Sequence, residues 1–139
     1  MLKEFMSHIR DQVSSNIEKY IGDSNFIEGA MKYSALAESK MFRAALVFAS
    51  GDLNNNISNK SLINLSTSIE LMHTYSLIHD DLPSMDNDEL RRGQDSSHVK
   101  FGEANAILVG DALQALSYEI ISDDEDLSSY EKVVAIKLL

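Results

Sequence analysis

Apolar residues recur at intervals of three and four along most of this chain, and only one proline interrupts them. The first run of this kind comprises Leu2, Phe5, Met6, Ile9, Val13, Ile17 and Tyr20. Such spacing places side chains on one face of an α-helix, whereas a half-buried strand alternates every second residue. The sequence therefore predicts an all-α fold.

The same spacing indicates where the next helices lie. We expect helices over about 26–38 and 40–50, and Gly51 is a suitable residue to follow the end of the second helix. Residues 52–59 are polar and rich in Asn, which is typical of a loop.

A longer helix is predicted over 60–81, where Pro83 ends the pattern because proline cannot continue a helix. The apolar face of this helix is expected to consist of Leu62, Leu65, Ile69 and Met72. The periodicity then fades, so residues 82–101 are predicted to form a charged loop.

Two more helices are predicted beyond that loop. The first covers about 104–122, and an acidic link over 123–126 joins it to a last helix capped by Ser128 or Ser129. That last helix is still apolar at Leu139, without Gly, Pro or a polar tail to end it. We therefore expect residues 1–139 to be one domain that is truncated at its carboxyl end.

The composition narrows the classes of function. With 12 Lys and Arg against 22 Asp and Glu, the formal net charge of −10 disfavours binding to nucleic acid or anionic lipid. The chain has no Cys, which excludes disulfides, thiol nucleophiles and Cys-ligated zinc. No apolar run is long enough to span a bilayer and residues 1–10 lack a signal-peptide core, so we expect a cytoplasmic protein.

The segment IHDDLPSMDNDELRRG, residues 78–93, concentrates acidic and basic groups. It carries the pattern Asp-Asp-x4-Asp followed by two arginines, namely Asp80, Asp81, Asp86, Arg91 and Arg92. Crowded carboxylates repel one another unless a cation lies between them, and carboxylates with open positions for phosphate are typical of Mg²⁺ sites. Arginine binds phosphate oxygens bidentately. These residue types together predict a diphosphate site that uses Mg²⁺.

Acidic segments also occur in solvated loops and in calcium-binding loops. A charged run is most often a solvated loop. An EF-hand starting at Asp86 is excluded, because Leu90 and Arg91 occupy positions that need a ligand and a glycine. The later cluster over 123–126 has no following arginine pair, so we interpret it as a loop between helices.

The segment over 78–93 resembles the first aspartate-rich motif of the trans-isoprenyl diphosphate synthases, in the form typical of bacterial farnesyl diphosphate synthases. The likeness continues through HVKFGEANAIL, residues 98–108, and GDAL, residues 110–113, and covers the chain from about Ile27 onward. This resemblance implies the amino-terminal portion of the isoprenoid synthase helical bundle. The arginines that follow the motif argue against the related terpene cyclases.

The resemblance implies a prenyl transfer and a role for each site residue. An allylic diphosphate, dimethylallyl or geranyl, ionises and is attacked by isopentenyl diphosphate, giving a short product such as farnesyl diphosphate. Mg²⁺ would stabilise the leaving diphosphate by Lewis-acid catalysis. The implied metal ligands and catalytic residues are Asp80, Asp81 and Asp86. Arg91 is implied to bind the allylic diphosphate, and the isopentenyl diphosphate site maps to Lys40, Arg43, His73 and Arg92.

One segment departs from the family pattern. Relatives have Gly-Gly-Lys-Arg where this chain has Glu38-Ser39-Lys40-Met41. A negative charge beside an anionic substrate repels it, so we expect Glu38 to weaken binding of isopentenyl diphosphate.

Product length is implied by the helix that precedes the motif. Tyr75 lies at the position where a bulky residue closes the floor of the prenyl pocket in relatives, and Ser76 lies one turn from Asp80. An aromatic residue that simply packs in the core is an equally good interpretation of Tyr75.

Relatives also carry a second aspartate-rich motif further along the chain, which these residues do not include. Two interpretations follow: the amino-terminal part of a farnesyl-type synthase, inactive in isolation, or a naturally short, non-catalytic subunit that binds prenyl diphosphates. Relatives dimerise through helices corresponding to residues 104–122, which implies a homodimer here.

Overall fold

The computed structural model describes residues 1–53 and 56–139, and within them the chain forms seven helices and one short hairpin. The helices are α1 (Leu2–Tyr20), α2 (Phe26–Ala35), α3 (Phe42–Asp52), α4 (Asn59–Asp80), α5 (Ser97–Phe101), α6 (Glu103–Ser122) and α7 (Ser129–Leu138). The antiparallel strands are β1 (Leu90–Arg91) and β2 (Gln94–Asp95). The all-α prediction is confirmed. None of these helices has the length and apolarity needed to cross a bilayer.

Helices α4 and α6 lie at the centre of the bundle and pack against each other, with α1, α2 and α3 around them. The core between these helices includes Ile9, Val13 and Ile17 of α1 and Val109 and Leu113 of α6. The predicted stripe of α1 is therefore buried over its second half, while its first residues, Leu2 and Phe5, are exposed.

The buried side of α4 is polar, which the apolar spacing did not predict. Of its predicted apolar face, only Leu62 is buried; the other three residues are half-buried. The buried polar residues are Ser61, Asn64, Ser66, Thr67, Ser68, Glu70 and Thr74. Several of their hydroxyls donate to the carbonyl four residues earlier, as Thr74 does to Glu70 at 2.8 Å. These hydroxyls are therefore hydrogen-bonded although they are buried.

Two predicted helix ends are wrong. Helix α2 ends at Ala35 rather than near 38, and Gly51 lies inside α3 rather than after it. A Cβ atom at Gly51 would lie 2.1 Å from Cδ2 of Leu62, so glycine permits the close approach of α3 to α4. Residues 54 and 55 of the predicted loop lie outside the described residues.

The predicted loop over 82–101 contains the hairpin and α5. Its two-residue turn consists of Arg92 and Gly93, with φ angles of 55° and 79°. Two successive positive φ values match the right-handed twist of paired strands. Each strand is too short to show an alternating pattern, so the hairpin has no periodic signal in the sequence.

The acidic link over 123–126 is a loop, as predicted, but Asp124 in it is buried. Its carboxylate accepts hydrogen bonds from Oγ of Ser61 at 2.9 Å and Nδ2 of Asn64 at 2.8 Å, and from the amides of Asp126 and Leu127. Burial acts to raise the pKa of Asp124, but these hydrogen bonds together hold it below its ordinary value. The carboxylate thus ties the link to α4.

The predicted start of α7 is confirmed at Ser128. Its side chain accepts from the amide of Glu131, and the Glu131 carboxylate accepts from the amide of Ser128, which forms a capping box. The Ser128 hydroxyl also donates to the Glu131 carboxylate at 2.6 Å, and this hydrogen bond, together with the one from the Ser128 amide, lowers the pKa of Glu131.

Candidate diphosphate-binding site

The aspartate pattern lies where α4 ends. The amide of Asp86 donates to the carbonyl of Asp80 at 2.8 Å, and the amide of Asp88 donates to the carbonyl of Asp81 at 3.1 Å. The turn that contains Pro83 therefore folds back onto the end of the helix. Asp80 and Asp86 are exposed on this turn, whereas Asp81 is buried.

The Asp81 carboxylate binds Arg91 of the hairpin. Nε of Arg91 donates to Oδ2 of Asp81 at 3.0 Å, and Nη2 donates to Oδ1. The hydrogen bond to Asp81 is the main cause that raises the pKa of Arg91. This two-point ion pair fixes the hairpin to the end of α4, and Nη2 also reaches Asp88 at 3.4 Å.

The carboxylates on this turn suit a cation whose remaining coordination positions are filled by substrate. Among the described residues, no group of three or more His, Cys, Asp or Glu is gathered closely enough to hold a metal ion. Mg²⁺, however, is often held by one or two carboxylates together with substrate phosphates. The exposed carboxylates of Asp80 and Asp86 fit that requirement, while both oxygens of Asp81 accept hydrogen bonds from Arg91.

Three elements bring basic side chains close enough to act on one another electrostatically. His73 lies on α4, Arg43 on α3 and Arg92 on the hairpin. Burial lowers the pKa of His73, and the charges of Arg43, Arg92 and Arg91 lower it further. Both effects disfavour the protonated imidazole, and the same positive charges would favour a bound anion.

Arg92 is half-buried, and Nη1 donates to the carbonyl of Ala37 at 3.5 Å. Burial lowers the pKa of Arg92, the negative charge of Glu70 opposes that effect, and Arg91 and Arg43 lower the pKa further. Mutual repulsion among these cations is relieved by a bound anion, so the arrangement is suited to phosphate.

Lys40 lies in a different setting from the other predicted isopentenyl diphosphate residues. It is exposed and lines a surface cleft of about 520 Å³ beside α1, together with Lys3, Arg10 and Glu38. The negative charge of Glu38 therefore lies on the same cleft as Lys40.

The two residues predicted at the pocket floor are half-buried on α4. The Ser76 hydroxyl donates to the carbonyl of His73 at 2.8 Å. The Tyr75 ring packs against the hydrophobic core and meets the His79 ring edge-on, with 4.8 Å between ring centroids. These contacts are compatible with both interpretations of Tyr75, and its role in product length stays a prediction.

Sequence reasoning missed Glu70, which lies near Arg92 and is buried on α4. Its position three residues before His73 places both on one side of the helix, which was an available signal. The positive φ of Arg92 could not be anticipated, because Arg rarely adopts that conformation.

Residues 24–138 match the family model described as Polyprenyl synthetase. The chain belongs to the polyprenyl synthetase family. It is 53% identical over 95 residues to a farnesyl diphosphate synthase of Buchnera aphidicola subsp. Acyrthosiphon pisum, covering 68% of this chain and 33% of that protein. It is 48% identical over 111 residues to the farnesyl diphosphate synthase of Escherichia coli, covering 78% of this chain and 37% of that protein.

A solved structure of an FPP/GFPP synthase from Zymomonas mobilis superimposes with a TM-score of 0.89 at 35% identity. The match covers 99% of this chain and 50% of that one. The fold predicted for the amino-terminal portion of the isoprenoid synthase bundle is therefore confirmed. The chain spans about a third of the length of the two farnesyl diphosphate synthases and half of the Zymomonas protein.

Proposed function

We propose that this polyprenyl synthetase chain carries the first aspartate-rich half of a short-chain prenyltransferase site. The site would condense dimethylallyl or geranyl diphosphate with isopentenyl diphosphate into a product such as farnesyl diphosphate. The observation that carries this proposal is the gathering of Arg43, His73, Arg91 and Arg92, of which Arg91 is anchored where α4 ends, at the turn that bears Asp80 and Asp86.

On the allylic side, Asp80 and Asp86 would hold Mg²⁺, and Arg91 would bind the same diphosphate from its anchored position on Asp81. When bound, Mg²⁺ would stabilise the charge that develops on the leaving diphosphate. The bond between the allylic carbon and oxygen breaks, and its electron pair leaves with the diphosphate. The double bond of isopentenyl diphosphate then attacks that carbon, and the carbocation so formed loses a proton to the released diphosphate, which gives the new double bond of the product.

On the isopentenyl side, Arg43, His73 and Arg92 would bind the diphosphate. Arginine pairs with phosphate oxygens through two N–H groups, and a neutral imidazole donates one hydrogen bond. Lys40 would contribute its charge from the neighbouring cleft, where Glu38 opposes it. A cytoplasmic location stays a prediction of the sequence.

An apolar groove offers a place for the hydrocarbon part of a substrate. It has a volume of about 410 Å³, includes Arg43 in its lining, and is otherwise formed largely by apolar side chains of α3 and α4 such as Val47, Leu65 and Ile69. A groove with one cationic residue and apolar walls suits isopentenyl diphosphate, because Arg43 would bind the diphosphate and the apolar walls would contact the hydrocarbon part.

A second candidate function is a non-catalytic subunit that binds prenyl diphosphates. It is favoured by Glu38 and Met41, which replace a glycine and a basic residue of the family pattern. Both candidates predict diphosphate binding, and they differ in whether the site turns over once the family's second aspartate-rich motif is supplied. We expect the 139-residue chain alone to show little or no prenyl transfer with Mg²⁺. Robust turnover that Asp80→Asn abolishes would contradict that expectation and exclude the non-catalytic candidate.

We further propose a homodimer through α6, on which Ile107 and Leu108 are exposed. Sedimentation velocity over a range of concentrations tests this. Replacing both residues with Ser should shift a dimer toward monomer, and a wild-type chain that is monomeric throughout would contradict the proposal.

A further inference from the structure

We propose that Glu70 is a positioning residue for the isopentenyl diphosphate side of the site. Its carboxylate holds the first turn of α3, which carries Arg43, against α4 next to His73 and Arg92. This inference rests on the proposed function, because it concerns the geometry of the same basic residues.

The first turn of α3 needs an acceptor from elsewhere in the fold. The helix is preceded by Met41, which has φ and ψ angles of 42° and 47° and no side-chain oxygen to accept from the helix amides. The first amides of a helix lack partners within the helix. Glu70 supplies one acceptor from α4, since its Oε1 receives the amide of Ala44 at 3.0 Å.

A second contact joins α4 to Ala44 in the first turn of α3. The buried Ser66 hydroxyl donates to the carbonyl of Ala44 at 3.3 Å. Two side chains of α4, one turn apart, therefore hold both backbone groups of Ala44. Arg43 directly precedes this fixed residue, so its backbone has little freedom to move relative to α4.

Glu70 is only 5% exposed, and a buried carboxylate is costly unless it is paired. The positive end of the α3 dipole and the charge of Arg92 both compensate it. A residue so buried is unsuited to touch an anionic substrate, and its own charge would repel one. Its role is therefore to set the positions of the groups that do bind.

Two substitutions separate the effect of the Glu70 side-chain length from the effect of its charge. Glu70→Gln keeps an oxygen acceptor at the same distance, whereas Glu70→Asp keeps the charge but shortens the side chain by one methylene. Isothermal titration of the 139-residue chain with isopentenyl diphosphate should give Glu70→Gln within about threefold of the wild-type Kd. It should give a Kd about tenfold weaker for Glu70→Asp, as expected when a displaced Arg43 loses one charge-assisted hydrogen bond to the diphosphate.

Two controls accompany these variants. Glu18 is an exposed residue of α1, so Glu18→Gln and Glu18→Asp should leave the Kd unchanged. Geranyl diphosphate with Mg²⁺ is the control ligand, because the allylic side does not use Arg43. Its affinity should stay constant in both Glu70 variants. Amide hydrogen exchange at Ala44 should remain slow in Glu70→Gln and become faster in Glu70→Asp.

The outcomes distinguish this inference from the proposed function. If the wild-type chain binds no isopentenyl diphosphate, the proposed function fails and this inference fails with it. If the wild-type chain binds but Glu70→Asp binds equally well, or loses both ligands equally, this inference alone is overturned. Should Glu70→Asp not fold, Glu70→Gln decides: a tenfold weaker Kd with protected Ala44 overturns the inference, and near-normal affinity with protected Ala44 supports it.

Discussion

Arg91 binds both carboxylate oxygens of Asp81, so the middle aspartate of the acidic pattern anchors the arginine that follows it. Asp80 and Asp86 remain exposed on the adjacent turn. The pattern thus divides into one buried residue in an ion pair and two residues that face solvent. This division gives the aspartates different expected effects on stability.

Asp81→Asn should lower the free energy of unfolding, because it leaves the Arg91 guanidinium without its carboxylate. We expect a loss of about 2 kcal/mol, below the roughly 3–5 kcal/mol found when a fully buried pair is broken. The smaller value is expected because the Arg91 side chain is 35% exposed. Urea unfolding followed by circular dichroism measures the difference. Asp80→Asn is the control and should change stability little; an equal loss in both variants would contradict the division.

Gly110→Ala should destabilise the contact between α4 and α6. A Cβ atom at Gly110 would lie 2.3 Å from Nε2 of His79, whose ring also contacts the carbonyl of Ile107 at 3.1 Å. Overpacking of this kind costs about 1–3 kcal/mol. Thermal unfolding should show a lower Tm. Gly29→Ala is the matched control, since nothing lies within 4 Å of its added Cβ and alanine favours a helix; a similar fall in Tm there would refute the steric explanation.

Asp124 should make folding stability depend on acid pH. Its pKa is lowered in the folded state, so its contribution is present above the ordinary value of 3.8 and is lost as the pH falls through the folded pKa. At pH 7, Asp124→Asn should cost about 1–3 kcal/mol, because an amide NH₂ cannot accept the hydrogen bonds that one oxygen accepted.

The measurement for Asp124 is the free energy of unfolding against pH. The gap between wild type and Asp124→Asn should narrow below pH 3.8, while the exposed neighbour variant Asp123→Asn should show little gap at any pH. A gap that stays constant through that acid range would count against the charged carboxylate as its cause.

Replacing Glu38 and Ser39 together with Gly should tighten binding of isopentenyl diphosphate. The change removes a negative charge from the cleft that Lys40 lines and restores the family's glycines. We expect a gain of about three- to tenfold in affinity, since removal of a repulsion between like charges at a partly exposed site is worth about 1 kcal/mol. Titration calorimetry at low ionic strength gives the two Kd values. Ser39→Gly alone should have a smaller effect, and an unchanged Kd for the double variant would overturn the interpretation of Glu38.

Much of the helical framework was predictable because side-chain spacing and capping are local signals. Helix α6 was placed within about one residue at each end, and the start of α7 followed from Ser128 and Glu131. The aspartate pattern was also visible, since its chemistry lies within one short segment.

The features that could not be predicted depend on contacts between residues that are far apart in the sequence. The sequence predicts that Gly51 follows the end of a helix. It lies inside α3 instead, where the absence of a side chain lets Leu62 pack directly against it. The sequence predicts that Asp124 belongs to an acidic loop between helices. In the structure it is buried, and Asn64 and Ser61 donate hydrogen bonds to its carboxylate. Its partners are about sixty residues away, so no local pattern marked it.

Arg43, His73 and Arg92 are proposed to form a diphosphate site, and calorimetric titration of isopentenyl diphosphate into wild type and Arg92→Gln tests this most directly. Loss of a charge-assisted contact to phosphate should weaken the Kd by about tenfold or more. The charge-matched control Lys19→Gln, on the exposed surface of α1, should bind as the wild type does. A wild-type chain that does not bind, or an Arg92→Gln variant that binds equally well, would contradict the claim.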